Sequence, residues 1–476
     1  MSRRMGAVAA LVLATSTLAW AQPRGISQSE RAQGQQAHPQ LLAEYGGAYG
    51  GPQDAYVQRV GKRIAVQSGL SNSERDFTIT LLNAPVNNAF AVPGGYVYVS
   101  RQLLALMNDE AELAAVLGHE VGHVAARHSR SRNRTSTGTA LLAGILGAVT
   151  GNSAIGQLAG QAAQLYTLRF SRQQELQSDD LGVRYLSTAG YDTGAMATVL
   201  ASLANQNALD ARASGQAARS LPGWASTHPD PASRVVRARQ QGQRAAVPNG
   251  QRNRDAFLAA IDGLVYGDDP RQGVIEGRTF RHPDLRIAFT APQGYSLANS
   301  PQAVSITGQG GQAQLSTAAY SGNLPDYVGR VFAGLSQGGQ APQAGIRRTT
   351  VNGLEAAYGT GRASTGRSQV DATVFAIETA ANRAYHFVLV TPAGQGVGPF
   401  TPLINSFRTL SAAEAGQIRG RVIDVVTVRP GDTPERLAQG MAFDDLKLDR
   451  FLVLNGLTPG QPLRAGDKVK LVVYGR

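Results

Sequence analysis

Three of the chain's seven histidines fall within ten residues: His119, His123 and His128. The centre of the group reads His119-Glu120-Val121-Gly122-His123. On a helix, positions i and i+4 share a face, so both imidazoles can reach one metal ion. Glu120 follows the first ligand directly and would lie beside the metal's open position. A carboxylate there can take a proton from bound water and later hand it to a leaving amine. A chance HExxH is expected on the order of 0.003 times in a chain of this composition, which favours a metal site over a solvated helix face. His128 is five residues beyond His123, off that face, and reads as surface.

A catalytic zinc takes three protein ligands and keeps a fourth position open. The third is expected from Glu175-Leu-Gln-Ser-Asp179, whose two carboxylates also stand at i, i+4. Glu175 would bind the metal. Asp179 would orient the first histidine through the ring nitrogen turned away from the zinc. An ExxxD pair alone usually marks a solvated, charged face; here its weight comes from lying on the next strongly patterned helix after the histidines.

Two helices must carry these residues. Asp109 and Glu112 fit a capping box, and Leu113, Val116, Leu117, Val121 and Val124 recur at helical spacing. The second helix is expected to start at Ser171, capped with Gln174, and to stop at Gly190. Between them, Thr139–Leu165 is rich in Gly and Ala and reads as small-residue helices. Upstream, Phe77–Leu82 alternates as a strand, and Tyr96–Ser100 follows a Pro93-Gly94-Gly95 turn.

Around this core the chain is long, with 476 residues, 42% of them hydrophobic and none of them cysteine. The length implies several domains. The missing cysteine excludes disulfides, thiolate metal sites and a cysteine nucleophile. A net charge of +12 favours anionic surfaces such as membranes or cell-wall polymers, and the lack of long basic runs argues against nucleic acid. Arg3 and Arg4, the apolar run Ala7–Leu18 and Ala19-Trp20-Ala21 read as a cleavable signal peptide over 1–21. The expected order is an α+β chain with a mainly helical zinc-peptidase domain over 22–241. A polar linker over 242–254, an α+β accessory domain over 255–412 and a small unit over 422–476 follow.

The residues His119–His123 with Glu175 and Asp179 resemble the gluzincin family of CAAX-prenyl-protease-type and heat-shock-membrane-protease-type zinc endopeptidases. Asn88–Gly95 with Tyr96–Val99, Asp109–Gly118, and Thr227-His228-Pro229-Asp230-Pro231 with Arg234 are similar to further segments of that family, so the likeness spans about 28–240. The soluble periplasmic branch, the β-barrel assembly-enhancing proteases, is the nearest in pattern. The resemblance implies that His228 sits near the metal, steadying the oxyanion or capping the zinc in a latent form. It also implies that Asn88 and the strand after it hold substrate backbone by β-addition. Polypeptide substrates are implied, as unfolded or misassembled envelope proteins in the periplasm. Val426–Thr433 and Leu454–Leu457 resemble the two strongest segments of a LysM module, which implies peptidoglycan as a partner. Two other readings accompany this one: a latent protease acting mainly as an envelope chaperone or scaffold, and a cell-wall amidase.

Overall fold

The computed structural model describes residues 25–128, 170–214, 224, 228, 230–335, 345–364 and 369–475. The signal-peptide reading and the expected Thr139–Leu165 helices lie outside these residues. The fold is α+β, with helices and four sheets among the described residues.

The first unit begins with α1 (Gln28–Glu44) and α2 (Gln53–Ala65), followed by strands β1 (Thr78–Leu82), β2 (Ala89–Val92) and β3 (Tyr96–Ser100). The sheet order is β1-β3-β2, so β2 forms an edge. Then come α3 (Arg101–Leu106), α4 (Glu110–Ala125), α5 (Arg172–Thr188), α6 (Ala195–Ser214), α7 (Pro231–Arg244) and α8 (Arg254–Ile261). Helix α4 starts at Asp109, whose carboxylate accepts the Glu112 N–H at 2.9 Å. Glu112 completes the cap one residue early, accepting from the Asn108 N–H at 2.8 Å. Helix α5 opens on the expected capping box of Ser171 and Gln174.

Helices α4 and α5 cross where both carry glycine. A Cβ at Gly182 would stand 3.2 Å from the His119 backbone nitrogen, and one at Gly122 would stand 3.2 Å from the Ser178 carbonyl. The absent side chains let the two backbones approach and bring the paired histidines to the paired carboxylates. Leu113, Val116, Leu117 and Val121 of α4 join Val183 and Leu186 of α5 in one buried core.

The segment that reads as a linker is bound to this unit. Helix α7 runs to Arg244, and Arg252 pairs with Asp109 at 2.6 Å and with Asp192 at 2.8 Å. Asn253 donates to Glu110 at 3.0 Å. Its polar residues therefore tie the start of α4 in place, which is why composition alone made it look detached. Helix α8, expected in the accessory domain, buries Phe257, Leu258 and Ile261 in the first unit's core.

After β4 (Val265–Tyr266) the chain builds a separate pair of sheets. One has four strands over residues 274–290 and 408–409. The other has seven over residues 296–392 and carries the helix Leu324–Leu335 on one face. The last unit runs strand, two short helices, strand: Arg421–Thr427, Pro434–Gln439, Lys447–Leu454 and Lys468–Tyr474. It is not free-standing. Arg421 and Val422 pair with Tyr266 and Val265, and Ile423, Phe451 and Val472 belong to the same core as α4. The buried Lys470 ammonium donates to the carbonyls of Ala105, Leu106 and Met107 at 2.8, 3.3 and 2.6 Å. A cation placed there satisfies backbone acceptors that the end of α3 leaves open.

Candidate metal centre

The structure brings His119, His123, Glu175 and His228 together, all buried, with one ligand atom from each within 4.8 Å of the others. The two Nε2 atoms of the helix pair lie 3.0 Å apart. His228 Nδ1 is 3.3 Å from His119 Nε2 and 3.0 Å from Glu175 Oε1, which is 3.4 Å from His123 Nε2. Donors about 2.1 Å from one zinc at tetrahedral angles stand about 3.4 Å from each other, and these separations cluster around that value. The donor set of three imidazoles and a carboxylate also suits zinc. The residues fit the metal.

The groups behind the donors set their protonation. His119 Nδ1 is 2.9 Å from Asp179 Oδ1, so the ring donates there and leaves Nε2 bare. Arg234, one turn into α7, is buried and forks onto Asp179, with contacts of 2.8 Å from Nε and 2.5 Å from Nη2, and it also pairs with Glu175. Burial alone would raise Asp179, but the Arg234 guanidinium outweighs it and holds the carboxyl below its usual range. Glu175 is likewise held low, because the imidazoles around it outweigh its burial. Burial drives His123 well below the ordinary imidazole value, which keeps the ring neutral. For His228 burial works the other way from its neighbours, and the carboxylates of Glu175 and Glu120 prevail and raise it.

Glu120 faces the same space, its Oε1 3.4 Å from His228 Nε2. Two aromatic rings close the site. Phe170 stacks on His123 with centroids 3.7 Å apart, and Trp224 stacks on His228 at 4.1 Å. A cavity of about 760 Å³ lined by Asn87, Tyr266, Ile275, Arg421 and Phe443 lies elsewhere, at the junction with the last unit.

Two sequence expectations need correction. His128 is not surface: it is buried, and its Nδ1 is 2.9 Å from His123 Nδ1. Helix α4 breaks at Arg127, whose φ of 56° turns the chain back and carries His128 behind its neighbour. Asn88 does not offer its backbone to a ligand, because its N–H donates to Ser100 Oγ at 3.1 Å and its carbonyl accepts the Ser100 N–H at 2.9 Å. Antiparallel ladders alternate, so the groups on the outer edge of β2 belong to Asn87, Ala89 and Ala91. The Asn87 carbonyl already accepts the Trp224 N–H at 2.7 Å. Arg234 had no spacing signal, since its partners stand 55 and 59 residues away.

Residues 52–241 match peptidase family M48. The mitochondrial metalloendopeptidase OMA1 of Schizosaccharomyces pombe is 33% identical over 215 residues, covering 43% of this chain and 59% of that protein. The β-barrel assembly-enhancing protease of Escherichia coli K12 is 30% identical over 215 residues, covering 43% and 42%. The metalloprotease LoiP of the same organism is 33% identical over 120 residues, covering 25% and 47%. The chain spans about half the length of these relatives. The matched segment falls in the first unit and is less than half of the chain. On that likeness the first unit is similar to the metallopeptidases of family M48.

Proposed function

We propose that this protein is a periplasmic zinc-dependent metalloendopeptidase that hydrolyses unfolded or misassembled envelope polypeptides. The observation that carries the reading is the convergence of His119, His123 and Glu175 on one point with the Glu120 carboxylate beside it. Zinc held there would supply the Lewis acidity that activates water and polarises a scissile carbonyl. Glu120 takes the proton from that water at its carboxylate and returns it to the departing amide nitrogen. Asp179 fixes the His119 ring, and Arg234 fixes Asp179. The outer edge of β2, at Ala89 and Ala91, is where an extended substrate adds as a strand.

The form described is closed. His228 occupies the place of a fourth donor, whereas catalysis needs that position open. The Trp224 N–H also takes the outward carbonyl of Asn87, just ahead of β2. Withdrawal of His228 would free metal and strand edge together, so His228→Ala should raise basal casein hydrolysis; an unchanged or lower rate counts against the cap. The same closed geometry favours a second reading, a latent protein that serves mainly as an envelope chaperone.

Among the described residues, no helix is long and apolar enough to cross a membrane. Peptidoglycan binding through the last unit would use the exposed loop Arg429–Gly431, since Gly456 of the other LysM-like segment abuts Asn108. Peripheral membrane association rests on the +12 charge.

The deciding experiment is casein cleavage by the purified protein beside Glu120→Gln, with zinc measured in both. About one zinc per chain in each, with cleavage by the wild type alone, supports the peptidase. Zinc in both without cleavage in either favours the chaperone. No zinc in either defeats the site.

A further inference from the structure

We infer that His128 is the positioning residue of His123, doing for the second metal ligand what Asp179 does for the first. The inference rests on the metal-centre reading. Two proton arrangements fit the contacts around His123. In one, His123 Nε2–H donates to His119 Nε2 across 3.0 Å, which leaves His123 Nδ1 as an acceptor. In the other, His123 Nδ1–H donates to His128 Nδ1 across 2.9 Å, which leaves Nε2 bare. Only the second gives His123 a lone pair for a metal, and it requires His128 to accept at Nδ1.

The surroundings of His128 meet that requirement. A neutral imidazole that accepts at Nδ1 carries its proton on Nε2. His128 Nε2 is 3.0 Å from the Gln177 side-chain oxygen, an acceptor for that proton. Gln177 therefore selects the His128 tautomer, and His128 selects the His123 tautomer. Ser178 Oγ, 3.4 Å from His128 Nδ1, is too distant to compete for the position.

All of this orientation comes from one helix. Within five residues α5 supplies the carboxylate ligand Glu175, the His119 orienter Asp179 and, through His128, the His123 orienter Gln177. The two histidines differ in what backs them. His119 leans on a carboxylate, which strengthens its donation, whereas His123 leans on a neutral ring. His128 thus fixes ring angle and tautomer without adding charge to the centre.

The test reads zinc affinity by chelator competition, and the absorption spectrum of the cobalt(II)-substituted protein, in wild type, His128→Ala, His128→Gln and Gln177→Leu. Loss of a group behind a metal ligand typically weakens binding 10–100-fold. His128→Ala should show about that loss with a shifted cobalt spectrum. His128→Gln, whose side-chain oxygen can accept from His123 Nδ1–H, should recover most of it. Gln177→Leu alters only the exposed end of the relay, so it keeps the test informative if the alanine variant fails to fold; a several-fold weakening with an unchanged metal-free melting temperature is expected. Zinc affinity equal to wild type in His128→Ala, or in Gln177→Leu where the alanine variant does not fold, overturns the positioning role. Glutamine no better than alanine also overturns it. A wild type that takes up no zinc overturns the metal reading beneath it.

Discussion

Glu44, the last residue of α1, lies far in function from the metal and tests the electrostatic reasoning on its own. Its Oε2 is buried without a hydrogen-bond partner, and burial pushes the carboxyl from 4.5 up to about 7. Between those two values the folded protein holds a proton that the unfolded chain has already released. Stability contributed at this position therefore falls as pH rises through the window and is lowest above pH 7. A shift from 4.5 to about 7 corresponds to about 3 kcal/mol at most. Glu44→Gln keeps the shape and removes the titration. Urea unfolding at pH 4, 6 and 8, with both proteins saturated with metal, should show nearly equal stability at pH 4. The variant should be ahead by about 3 kcal/mol at pH 8, with an intermediate gap at pH 6. Other titrating groups cancel in the difference because both proteins carry them. A gap that stays constant with pH, or one that closes as pH rises, would refute the argument.

Asp179→Ala removes the acceptor behind His119, so zinc affinity measured by chelator competition should fall about 10–100-fold; unchanged affinity would show that Asp179 serves only to hold Arg234. Arg234→Met leaves Asp179 and Glu175 as buried carboxylates without their cation, which should cost the metal-free protein about 3–5 kcal/mol. Bound zinc restores positive charge, so the loss read by thermal unfolding should shrink in the loaded protein, and equal losses in both forms would argue against charge compensation. Lys470→Met strips three carbonyls of their donor, and about 2–4 kcal/mol of destabilisation in urea is expected even though the variant no longer buries a charge. Wild-type stability would show that the last unit docks by apolar contact alone.

Much of the site was legible because the decisive spacings are short. HExxH and ExxxD each lie within one helical turn and a fraction, so periodicity alone puts each pair on one face. The capping residues Asp109 and Ser171 mark where those helices begin, and both side chains cap as expected. What spacing cannot supply is the crossing of the helices, which depends on Gly122 and Gly182 meeting their neighbours' backbone more than 50 residues away in sequence. The partners of Arg234, which the family resemblance singles out, are hidden from spacing for the same reason. His128 was misplaced by a local event: a helix carried through Arg127 would turn it outward, and one residue with φ of 56° turns it inward.

The same contrast explains the boundaries. Polar composition over 242–254 has two physical meanings, a solvated tether or a set of side chains spent on a neighbour's exposed helix end. Arg252 and Asn253 belong to the second case, since Asp109 and Glu110 at the start of α4 are their partners. Lys470 follows the same logic at the end of α3, three residues before that start. The segment that composition assigned to a linker and a lysine of the last unit thus clamp both sides of the turn that launches the histidine helix. That turn is the first link in the geometry of the metal centre, because the rotation of α4 about its axis decides whether His119 and His123 meet Glu175. Accessory units joined to the first unit at this point can therefore bear on the candidate metal centre through backbone position alone, without a residue of their own beside it.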